Sequence, residues 1–169
     1  DIYGRPASEV FAEFEPEALA AASIAQVHAA RLHTGEDVVV KLLRPDVRKQ
    51  IERDIKVLYA LARLVRRYWK DARRLRPVEV VTEYEKTIFN ELDLMREAAN
   101  ASQLRSNFLG SEQLYVPELY FDYCRTNVMV IECIHGVSVS AMDALRRSGT
   151  NIPTLAAYAV ALLFTQIPQ

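Results

Sequence analysis

The sequence predicts an α+β fold in which an antiparallel sheet carries helices, and three features predict it. Val38-Val39-Val40 is a β-branched run with high strand preference. Thr34-Gly35 supplies a turn between that run and an earlier strand, so Leu19 to Arg44 reads as a hairpin preceded by an alanine-serine loop. Two later stretches, from Asp46 and from Pro77, place apolar residues three and four apart, the spacing of amphipathic helices.

Taken in order, Asp1–Glu17 reads as a sheet edge, punctuated by Gly4, Pro6 and Pro16, with Phe11 and Phe14 among acids. Ala20-Ala21-Ala22-Ser23 reads as a loop. Alanine lacks glycine's access to positive φ, so the loop is a stiff one. After Arg44-Pro45, Asp46 is placed to cap a helix whose buried stripe is Val47, Ile51, Ile55, Leu58 and Ala62. Its far end is basic and aromatic: Arg63, Arg66, Arg67, Lys70, Arg73, Arg74 and Arg76, with Tyr68 and Trp69 between them. Such a segment is either a solvated helix end or a face for an anionic membrane surface or lipid.

Pro77 opens what reads as one long helix, about 78–106, with Val81, Tyr84, Ile88, Leu92, Met95 and Ala99 on its apolar face. On that helix Glu91 falls at the edge of the stripe. Asp93 and Glu97 share the opposite side one turn apart, where two acids repel unless a cation lies between them. Short strands are predicted at 114–116, 118–122 and 128–132, with a turn at Arg125-Thr126-Asn127. Glu132 to Gly136 reads as a linker. A short helix capped by Ser140 and an almost wholly apolar helix near 153–167 follow.

The candidate for chemistry is Lys41, placed directly after the valine run. Burying an unpaired ammonium is costly, so a lysine in a covered strand needs an anionic partner or an open cleft. Two readings stand: Lys41 snorkels from an edge strand to water, or it faces an anion. A loop of backbone N–H groups, a hairpin and a strand lysine together are how protein kinases hold ATP.

Composition bounds the rest. Of 169 residues, 50% are hydrophobic and 25% charged, which is ordinary for a globular chain with one sizeable core. A net charge of -1 argues against nucleic acid as a partner. Cys124 and Cys133 form neither a CxxC nor a disulfide framework, which sets a reducing compartment as the expectation. The longest apolar run, near Leu155–Phe164, is too short to span a bilayer.

AAASIAQVH, VVVKLLRP, YEKTIFNELDLMREAAN, YVPELYFDYC and VMVIECIHGVSV, in that order, resemble the UbiB/ADCK family of atypical kinases associated with ubiquinone biosynthesis. The resemblance implies a protein-kinase-like N-lobe and hinge over residues 1–134, built from an antiparallel sheet, an αC-like helix and an extra helix. Residues 135–169 would be the first helices of a C-lobe. It also implies that Ala20, Ala21, Ala22 and Ser23 form the nucleotide loop, that Lys41 pairs with Glu97, and that Glu132–Ile134 reach the adenine. Glu91 and Asp93 match the family's E-x-D motif, linked there to nucleotide and metal handling. The implied cofactors are ATP and Mg, and the implied partners are adenine nucleotide and ubiquinone-biosynthesis proteins. The implied location is cytoplasmic, peripheral to the inner membrane in a bacterium.

Two departures shape the functional expectation. No K-x-G-Q sequence is present, and no Asp follows Asp143 to serve a catalytic loop or hold magnesium. The chain is therefore read as a fragment or truncated gene product, with weak or absent nucleotide binding and no turnover. A non-catalytic nucleotide- or partner-binding module and a decayed gene product are the alternatives.

Overall fold

A computed structural model of the chain describes residues 2–69, 74–111, 114–136 and 147. The helices expected at 140–149 and 153–167, and the basic residues Lys70 and Arg73, lie outside the described residues. The chain divides into two compact units, Asp1–Leu109 with Val116–Cys133, and Gly110–Tyr115 with Ile134–Gln169. The sheet and its helices belong to the first unit.

Four antiparallel strands form one sheet in the order β1 (Glu13–Ala21), β2 (Ala25–Arg31), β3 (Asp37–Leu43) and β4 (Val128–Glu132). β1 is the strand the sequence left as a punctuated edge and loop. Pro16 lies within it, which an edge strand tolerates because the missing N–H need not enter a ladder. Its pairing with β2 is irregular between Phe14 and Ala20. The β2–β3 turn places Gly35 at φ 106°, a conformation that suits glycine. Alternation then sorts β3: Val38 and Val40 are fully buried, whereas Val39 and Lys41 remain half-buried.

The core joins Val38, Val40, Val128 and Val130 of the sheet to Val10 and Phe11, which flank the C-terminal end of the short helix α1 (Ala7–Val10). Leu94 and Ala98 of α4 (Leu94–Asn107) complete it. Tyr3 ties the N-terminal segment down. Its hydroxyl donates to the Tyr123 carbonyl at 2.6 Å, its ring meets Phe11 edge-on, and the Arg125 guanidinium lies over it. Burial pushes the Tyr3 phenol up to about 12, against the opposing pull of Arg125.

Between β3 and α4 lies a helical hairpin, α2 (Val47–Tyr68) and α3 (Pro77–Glu91). The expected α2 stripe is present: Ile55 and Ala62 are buried, and Val47, Ile51 and Leu58 half-buried. Asp46 sits at the N-cap but does not cap, because its backbone is left-handed and its carboxylate is taken by Lys49 at 2.7 Å.

Two sequence expectations fail here. The long helix is broken at Leu92-Asp93, so α3 and α4 are separate, and Tyr84 and Ala99 are exposed rather than on one buried face. Of the three short strands predicted after residue 113, the third is β4. Leu119 makes a single bridge to Ile131, and Phe121–Tyr123 is a 3-10 turn. Pro117 withholds an N–H from any ladder there, and the chain tracks β4 through isolated bonds instead: Tyr120 N–H to Val130, and Glu132 N–H to Glu118.

Candidate functional site

Lys41 lies opposite Val27 on one side and Met129 on the other, so the interior of the sheet holds its backbone. Its Nζ donates to both carboxylate oxygens of Glu97, at 2.6 and 2.8 Å. Glu97 stands in the first turn of α4, and two anchors fix that turn. Leu94 and Ala98 are inserted in the core, and the Leu94 N–H donates to the Thr126 carbonyl at 2.9 Å. The pair is partly open, with side-chain exposures of 29% for Lys41 and 43% for Glu97. An ammonium has three protons. Two go to Glu97, and the third has no partner among the described residues.

At the end of the sheet that carries the β1–β2 turn, Ala20 and Ala21 are not loop residues. They continue β1, opposite Val27 and Gln26, because alanine accepts extended backbone and the edge of β2 needs hydrogen-bond partners. The turn is Ala22-Ser23-Ile24, closed by the Ala22 N–H on the Ala25 carbonyl at 2.8 Å.

The acids of the E-x-D motif occupy the break between helices. Glu91 is the last residue of α3, Leu92 is buried, and Asp93 is the N-cap of α4. Asp93 Oδ1 accepts from the N–H groups of Met95 at 3.1 Å and Arg96 at 3.4 Å, which satisfies two of the donors a helix start leaves open. The expected juxtaposition of Asp93 and Glu97 on one helix face therefore does not occur, since Asp93 is not helical. Glu91 is exposed, with no hydrogen bond or ion pair among the described residues. Glu132 accepts from the Glu118 N–H at 3.0 Å, and Ile134 is 49% exposed. Among the described residues no group of three or more His, Cys, Asp or Glu side chains could hold a metal ion.

Over residues 1–169 the sequence matches the ABC1 atypical kinase-like domain. The chain belongs to the ABC1 atypical kinase-like family. Its relatives include proteins named "Probable protein kinase UbiB". That of Pseudomonas aeruginosa is 56% identical over 97% of this chain, and that of Marinobacter nauticus 51% over 97%. The chain spans about three-tenths of the length of these curated relatives, 31% and 30% respectively. Among solved structures, the Rv3197–erythromycin complex from Mycobacterium tuberculosis aligns with a TM-score of 0.63 and 25% identity, over 80% of this chain and 37% of that one.

Within this ABC1 chain, three contributors to the site escaped the sequence reading. Thr126 anchors the start of α4 through its carbonyl, Arg44 reaches the Ala22 carbonyl, and Tyr3 ties the N-terminal segment to the Tyr123 carbonyl beside the core. Thr126 left a trace as the middle of the predicted turn Arg125-Thr126-Asn127, and Arg44 as the basic residue ending the VVVKLLR run. A cavity of about 680 Å³ beside it is lined by Arg44, Asp46, Arg48, Leu92 and Asn127, but by neither Lys41 nor Glu97.

Proposed function

We propose that this chain forms the nucleotide-gripping part of an atypical kinase or ATPase that supports ubiquinone production. The observation that carries the reading is the two-pronged Lys41–Glu97 pair at the centre of the sheet. A glutamate that takes two ammonium protons holds the third in one place, and a fixed cation suits the α- or β-phosphate of ATP. The alanine turn would cover the phosphates, and Glu132 and Cys133 would meet the adenine. Of the two acids of the motif, Asp93 uses Oδ1 for helix capping and keeps Oδ2, and Glu91 is exposed, so either carboxylate would be open to a magnesium ion brought in with the nucleotide. Magnesium, when bound, supplies charge neutralisation at the phosphates.

The test is thermal shift and phosphate release with ATP and magnesium, on the full-length gene product and on the 169-residue chain, each with Lys41→Met. We expect a Lys41-dependent rise in midpoint for the full-length protein, with loss of about 1.5–3 kcal/mol of binding in the variant. An equal rise in wild type and variant would refute the reading.

A second surface favours an anionic membrane as partner. Val57, Leu61, Leu64 and Tyr68 recur along the outer face of α2 and are all at least half exposed, and Arg63 and Arg67 lie to one side of that stripe. Apolar side chains beside cations are the pattern of an interfacial helix. Together with the family resemblance, that reading proposes peripheral attachment at the cytoplasmic face of a bacterial inner membrane.

A further inference from the structure

The β1–β2 turn is held from outside its own hairpin. The Arg44 main-chain N–H donates to the Ile24 carbonyl at 2.9 Å, and its Nε donates to the Ala22 carbonyl at 3.0 Å. With the Ala22 N–H on Ala25, both polar groups of Ala22 and the carbonyl of Ile24 are spoken for. The N–H groups of Ser23 and Ile24 carry no partner among the described residues. Nor does a carboxylate neutralise Arg44. Asp46, two residues on, is taken by Lys49 at 2.7 Å, and Arg44 makes no ion pair among the described residues.

We infer that Arg44 is a positioning residue for a phosphate-binding turn: it pins Ala22 and Ile24 so that the adjacent amides of Ser23 and Ile24 stay open to an anion. The inference rests on the nucleotide reading above and adds to it a residue and a mechanism. An exposed turn of three non-glycine residues has several conformations to choose from. Selecting one before the ligand arrives removes the ordering cost from binding. Two adjacent unspent amides are a suitable cradle for a phosphate oxygen. The guanidinium adds positive charge beside them, and its Nε bond is the only side-chain anchor the turn has among the described residues.

The experiment compares ATP with adenosine, which lacks the phosphates, on the full-length gene product, with Arg44→Met and the milder Arg44→Lys. We expect Arg44→Met to weaken ATP about 3- to 10-fold, the effect of losing one hydrogen bond, and to leave adenosine unchanged. Arg44→Lys, which keeps the charge and a donor, should fall between wild type and Arg44→Met. Equal weakening of both ligands would make Arg44 merely structural and overturn the inference. A wild type that binds ATP alongside variants of undiminished affinity would overturn it too, while sparing the nucleotide reading. A wild type that binds neither ligand would overturn both.

Discussion

The four-stranded sheet and the α2–α3 hairpin differ in where they put their apolar residues. In the sheet, Val38, Val40, Val128 and Val130 are completely buried, and α4 adds Leu94 and Ala98 to the same core. The hairpin buries only Ile55 and Ala62 of α2 and nothing fully on α3, while Val57, Leu61, Leu64, Tyr68, Val80 and Tyr84 stay exposed. Its two helices are joined instead by directed contacts. The Tyr59 hydroxyl donates to Glu85 at 2.7 Å and sits 3.0 Å from the Thr82 hydroxyl, and Arg48 lies over the Phe89 ring. Apolar burial is strong but non-directional, whereas polar contacts are weaker and specific. The sheet is thus equipped to hold Lys41 and Glu97 rigidly. The hairpin leaves apolar surface exposed, which is what the membrane proposal requires.

The largest effect expected from this contrast is in the core. Leu94→Ala should cost about 2–5 kcal/mol in urea unfolding, through lost transfer energy and the cavity left behind. Leu61→Ala on the hairpin should stay within about 0.5 kcal/mol. Similar costs for the two would break the comparison. Next is the membrane face. Replacing Arg63 and Arg67 together by Gln should cost roughly 2 kcal/mol of binding to anionic vesicles at low salt, at roughly 1 kcal/mol per basic residue. Sedimentation that is the same with neutral and anionic vesicles would remove the membrane reading.

A smaller effect sharpens the picture of the hairpin. Tyr59→Phe deletes only a hydroxyl, yet it should destabilise by about 1 kcal/mol, more than Leu61→Ala, since the hydroxyl links α2 to α3. The reverse order would mean that the hairpin is held by apolar packing after all. The last effect depends on pH. The Tyr3 phenol is pushed up to about 12 from an ordinary 10.0, so the fold favours its neutral form. Its contribution is fully present below pH 10.0 and is lost as the pH climbs through about 12. The stability margin of wild type over Tyr3→Phe should therefore shrink between about pH 9 and about pH 11. A constant margin would mean that burial does not hold the proton.

Local pattern by itself determined the strands β2, β3 and β4, the turn at Gly35, the buried stripe of α2 and the place of Lys41 within a strand. Each follows from side-chain period, β-branching or a turn residue within a few positions. The pairing of Lys41 with Glu97 was legible only through a resemblance to known kinases, because the two are 56 residues apart and no periodicity connects them. Tertiary structure decided the rest. The apolar spacing runs unbroken through Leu92, so the sequence reads as one helix. The chain nevertheless breaks there, because the Leu94 N–H finds the Thr126 carbonyl and Asp93 takes over the next amides as a cap. β1 likewise extends through Ala21 because β2 offers it an unpaired edge. Arg44 becomes a brace because folding brings the end of β3 beside the β1–β2 turn. A hydrogen bond between distant backbone groups leaves no mark on side-chain period, so such decisions appear only once the chain has folded.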